Sequence, residues 1–131
     1  MAFASTVKQQ GGNLNPHIRT AAAAIALAHS LERLVIGVYK YETHAYHRIS
    51  VSVRDDRVCG YDYISHCYVS GKLPHLYHQG EQSYFTLMPS GSMVYSGFDH
   101  DTSSSFSINV MHRKAHMLDH NADSYFAYSV R

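Results

Sequence analysis

The residues best suited to chemistry are histidines and aspartates in short clusters. His112, His116 and His120 are spaced by four, with Asp119 beside the last. Imidazole and carboxylate groups are ligands for Zn²⁺ and similar divalent ions, so this set is the candidate metal site. Asp99-His100-Asp101 and His75-x-x-His78 offer smaller sets of the same kind, and none matches a metalloenzyme spacing. A second chemistry needs no metal. Tyr63, Asp99, His100, Asp119 and His120 would form a ligand site if the segments carrying them met at one end of the fold. Aromatic faces stack on sugar rings, and short polar groups bond hydroxyls. Nucleophilic catalysis has less support. Cys67 follows His66, but neighbours on a strand point to opposite faces. The chain has no nucleophile elbow, phosphate loop or dinucleotide fingerprint.

The elements that position these residues come from one repeated pattern: an aromatic, Asp, Tyr or His, a few small or polar residues, then another aromatic. Copies begin at Tyr39, Tyr61, Phe98 and Leu118, with a fainter one read as Leu76-Tyr77-His78. A period near twenty residues marks a small supersecondary unit used several times. Around each copy the hydrophobic period is two: Ile49, Val51, Val53; Phe106, Ile108, Val110; Phe126, Tyr128, Val130. Turn formers at Arg54-Asp55-Asp56-Arg57, Gly71 to Pro74, Pro89-Ser90-Gly91 and His112-Arg113-Lys114 separate the alternating runs. The expectation is a mainly β fold: an antiparallel meander of about five hairpins, as a barrel or an open sheet. Each Asp sits just before a hairpin tip, where a carboxylate accepts backbone N–H groups and holds the turn. That structural role competes directly with the metal and ligand readings.

Asn15-Pro16 opens a helix, with Asn as cap and Pro at the first helical position. The reading divides the chain into an arm over 1–14, a helix over 15–34 and a hairpin domain over 35–131. Ala24, Leu27, Ala28, Leu31 and Leu34 form a helical stripe, expected to cover one sheet face or to pack on a second copy. The alanine run is too short to cross a bilayer, and the chain is read as cytoplasmic.

The 131 residues carry a net charge of +1 with only 16% charged residues, so nucleic acid is not an expected partner. Eleven Tyr and low charge favour a subunit that hides part of its surface in a homo-oligomer or against a protein or glycan partner. Cys59 and Cys67 could face each other in a hairpin, but reduced thiols are the expectation.

The hairpin units Gly60-Tyr61-Asp62-Tyr63 and Leu118-Asp119-His120-Asn121-Ala122-Asp123-Ser124-Tyr125-Phe126 resemble tandem hairpin repeats of small uncharacterised bacterial proteins. The resemblance spans roughly residues 35–130, leaves out the helix and implies no assigned activity. The leading expectation is a non-enzymatic β-repeat protein that acts by self-association or partner binding, with arm and helix as the docking element. A small-molecule or glycan-binding module at the tips is the alternative, and a His/Asp metal-dependent enzyme the third. No cofactor is expected beyond that divalent metal.

Overall fold

The computed structural model describes residues 14–130. One helix, α1 (Pro16–Leu31), is followed by eleven strands. They are β1 (Val38–Lys40), β2 (Ala45–His47), β3 (Ile49–Arg54), β4 (Arg57–Asp62), β5 (Cys67–Lys72), β6 (His75–His78), β7 (Ser83–Pro89), β8 (Val94–Asp99), β9 (Ser104–Met111), β10 (Lys114–Asp119) and β11 (Ser124–Ser129). From β3 to β11 each strand pairs antiparallel with the next, and β11 pairs with β1. The meander of five hairpins expected from the repeat is therefore present.

Its curvature nearly closes the sheet into a barrel. The two ends of the strand order, β2 and β3, are consecutive in the chain with only Arg48 between them. Across that seam Val35 and Val51 exchange backbone bonds of 2.9 and 2.8 Å. Arg48 keeps its carbonyl bonded to the Tyr63 N–H at 3.1 Å. Nearly every strand edge thus has a partner, which removes the exposed edges that an open meander would carry.

The helix lies inside this barrel, which corrects the expected one-sided stripe. Every residue from Ile18 to Ala28 is buried. A helix apolar on all sides has to be surrounded, and six alanines make it slim enough. It starts where expected: Asn15 Oδ1 accepts the N–H groups of His17 (2.8 Å) and Ile18 (3.4 Å). It stops three residues earlier than expected, at Leu31, where Glu32 turns left-handed (φ 52°). Inward side chains Ile49, Val51, Val69, Phe85, Leu87, Phe106, Ile108 and Met117 pack around it. Gly97 is required there, because a Cβ would lie 2.2 Å from the Phe106 ring that crosses it.

The helix cannot serve as a docking surface while the barrel encloses it. Of the arm, only Leu14 is among the described residues, and it is fully buried. Among the described residues no helix is long and apolar enough to cross a membrane. Enclosure predicts that Ala22→Leu and Ala24→Leu, on opposite helix faces, each destabilise by about 1–3 kcal/mol. Denaturant unfolding of both variants checks this; a helix packed on one side only would tolerate one of them.

Candidate functional site

Five four-residue turns gather at the barrel end that receives the N-terminus of α1. They run from Tyr41 to His44, Tyr63 to His66, Gln79 to Gln82, His100 to Ser103 and His120 to Asp123. The last residue of each is left-handed, with φ between 52° and 56°. The repeat is therefore conformational as well as sequential. It also corrects the alignment of the faint copy: His78, not Tyr77, occupies the position of Asp62, Asp99 and Asp119.

Those aspartates point inward and are at most 1% exposed. Each spends Oδ1 on its own turn. Asp62 accepts Ile64 N–H (2.8 Å) and Ser65 N–H (3.2 Å), Asp99 accepts Asp101 N–H (3.0 Å), and Asp119 accepts Asn121 and Ala122 N–H (3.1 and 3.2 Å). His78 does the same through Nδ1, taking Glu81 N–H at 3.1 Å. Two aspartates use the second oxygen on the helix entry: Asp119 Oδ2 accepts Leu14 N–H at 3.0 Å, and Asp99 Oδ2 accepts Asn15 N–H at 3.4 Å. The partial positive charge of a helix N-terminus favours carboxylates at this place.

The same layer holds further polar groups. His47 Nε2 lies 2.8 Å from Asp62 Oδ1. Arg19, buried beneath the first turn, donates to Tyr128 Oη (2.9 Å) and to both oxygens of Glu42 (2.9 and 3.2 Å), with its guanidinium over Phe126. Burial alone would raise the Asp62 pKa, but the His47 contact and the turn N–H bonds outweigh it and hold it at about 2. Burial pushes the Cys67 thiol up and the His78 imidazole down, which favours the neutral form of both. Asp62 Oδ2, His78 Nε2 and Ser83 Oγ have no hydrogen-bond partner among the described residues.

The proposed ligand set is therefore divided. Tyr63, His100 and His120 are exposed at the tips, whereas Asp99 and Asp119 are enclosed and already bonded. The proposed metal set is not assembled. His112 lies in the β9–β10 turn at the opposite end, and His116 faces outward on Tyr125. Asp119 faces inward, and His120 bonds Ser107 Oγ at 3.2 Å. Four strand residues span roughly 13 Å, so residues 112, 116 and 120 run along β10 instead of converging. No group of three or more His, Cys, Asp and Glu is placed to hold a metal ion among the described residues. Cys59 is exposed and Cys67 buried, on opposite faces of the sheet, and both are free.

The outer wall holds what the spacing of chemical residues did not show. One residue before each inward Asp position, the pleat turns an aromatic or leucine outward. Tyr39 pairs with Tyr46, Tyr61 with Tyr68, Tyr77 with Tyr84, and Leu118 with Tyr125 across strands. Ring centroids of the Tyr61–Tyr68 and Tyr77–Tyr84 pairs are 4.9 and 4.6 Å apart. Phe98 and His100 continue the belt at 5.0 Å. Tyr68, Tyr84 and Tyr125 remain 59%, 65% and 60% exposed. The repeat itself contained this signal, since its aromatics flank every Asp. Comparison with protein-family models, with curated proteins and with solved structures gives no match.

The depressed Asp62 pKa sets a pH dependence. Because the unfolded carboxyl binds protons more tightly, its stabilisation is complete above about pH 4 and fades as pH falls toward 2. Asp62→Ala removes that slope and, by leaving His47 and the turn N–H groups unpaired, costs about 3 kcal/mol. Thermal unfolding from about pH 5 to about pH 2 checks both; a variant that keeps the native slope would assign it to another group.

Proposed function

We propose that the protein is a non-enzymatic β-repeat barrel that acts by self-association. The observation that supports this reading is the belt of half-exposed tyrosines circling one end of a rigid barrel. Tyrosine supplies large contact area at low conformational cost, and exposed aromatic patches of this kind mark association surfaces. Low charge leaves little on the wall to oppose contact between copies. Asp99 and Asp119 use both carboxylate oxygens on the turns and the helix entry, which leaves them little to offer a ligand. Combining Tyr68→Ser, Tyr84→Ser and Tyr125→Ser should weaken association, with a loss of about 1–3 kcal/mol from the three cross-strand contacts that leaves the chain folded. Sedimentation velocity over a hundredfold concentration range measures it; a native chain that stays monomeric throughout sinks the reading.

A glycan-binding role is the second reading, moved from the tips to the wall. A shallow trough of about 270 Å³ has Ser107, Asn109 and His116 among its lining, with Tyr125 beside them. An aromatic plane beside hydroxyl and amide groups suits a neutral sugar. Saturable quenching of tyrosine fluorescence by neutral oligosaccharides, lost in Tyr125→Ser, would favour this reading over the first.

A further inference from the structure

The two ends of the barrel differ in charge. At the helix-entry end, the five turns contain Glu42, Glu81, Asp101 and Asp123 and no Lys or Arg, and exposed Arg48 beside them lies over the Tyr63 ring. Glu42 is engaged by Arg19, and Glu81 lies near His17. Asp101 and Asp123 are exposed, with no ion pair among the described residues.

The opposite end carries a row of cations. Arg54 lies directly across from Arg57 in the β3–β4 ladder, and Arg57 directly across from Lys72 in the β4–β5 ladder. Lys72 is in turn opposite His75. All four side chains are exposed, and Arg54, Arg57 and Lys72 form no ion pair among the described residues. Like charges directly opposite each other across strands are destabilising, so the row is a cost to the fold. Asp55 and Asp56, in the turn between the two arginines, offset part of this repulsion, and Asp56 Oδ1 also lies 4.0 Å from His29 Nε2. A local cost of this kind points to a partner that offsets it.

We propose that the acidic rim of one copy docks on the Arg54–Arg57–Lys72 row of the next, so that copies associate head to tail. This inference rests on the self-association reading and adds the surfaces and the polarity. The occupant is a second copy because the chain itself presents the complementary charge at its other end. A head-to-tail contact does not close unless the rotation returns on itself, so the product is an open chain of barrels or a ring.

The test is sedimentation equilibrium of the full chain at low ionic strength and at about 0.5 M salt, which screens exposed pairs. The native chain should associate at low salt and dissociate at high salt. Arg57→Glu should weaken association about tenfold, since it reverses the centre of the row. The same variant converts the row to Arg–Glu–Lys and should melt at or above the native temperature. Loss of assembly therefore cannot be loss of fold. A rim variant, Asp101→Lys with Asp123→Asn, should weaken association of its own copies to a similar degree. Mixed in equal amounts, the two variants should form 1:1 dimers, because one keeps the rim and the other keeps the row.

Association that survives both variants and salt, but not the loss of Tyr68, Tyr84 and Tyr125, would overturn the head-to-tail contact and leave self-association standing. A native chain that is monomeric under every condition would overturn both. If the chain does not assemble, and duplex RNA or heparin binds it but not Arg57→Glu, the row serves another polyanion and the inference fails.

Discussion

Enclosing a helix in a barrel creates one problem before any other: the N–H groups at its entry, from Leu14 to Ile18, are buried or partly buried and need acceptors from the protein. Unpaired, each would cost on the order of 1–3 kcal/mol. The repeated aspartates answer this. Asn15 covers the N–H groups of His17 and Ile18, while Asp119 and Asp99 take those of Leu14 and Asn15. The same carboxylates hold the turns that carry them. The helix entry and the hairpins are thus tied through shared atoms, and neither is complete without the other. Arg19 adds a second tie, from the first helical turn to Glu42 in the first hairpin.

Much of what surrounds this link was legible in the chain. The period near twenty announced five hairpins, and period-two runs such as Phe106, Ile108, Val110 gave the inward face correctly. The role of each Asp in its turn was also readable, because the chemistry is local. What could not be read was closure. Pairing of Tyr39 with Ser129 joins residues ninety positions apart, and no nearby pattern specifies it. The enclosed helix did leave a signal. From Thr20 to Leu31 there is no Lys, Arg, Asp or Glu, so that stretch has no charged face to present to water. Choosing one stripe among equivalent alanines hid that fact.

The candidate site shows the opposite balance. Histidines spaced by four read as a set only if they share a helix or a loop. On a strand the same spacing spreads them, and the two-residue turn at His112-Arg113 puts the first at the far end. The misaligned copy at His78 has a related cause. An imidazole can replace a carboxylate as acceptor for a turn N–H, so the position looks broken by residue type while its function is kept. Residue type carried the metal reading, whereas facing decides the geometry.

Facing also links the interior to the surface. In a strand, the neighbour of an inward residue points outward. Each Asp needed by the helix entry therefore places an adjacent side chain on the wall, and a repeat that places four acceptors in one layer places their neighbours in one belt. Those neighbours are not constrained by the interior, so small polar residues such as the Ser50 and Ser52 of β3 would have met the requirements of the fold. The chain instead puts Tyr at 61, 68, 77, 84 and 125, and keeps Tyr68, Tyr84 and Tyr125 more than half exposed. Arg54, Arg57 and Lys72 extend the argument to the other end, since the fold would be better served by mixed charge there. Tyrosine pairs across strands also steady the sheet, but their exposed faces are more than the interior requires, and there a requirement other than stability can be expressed. In this barrel both sets lie on the outside, one aromatic and one cationic, which is why the proposed association between barrels would account for more of the sequence than a site within one.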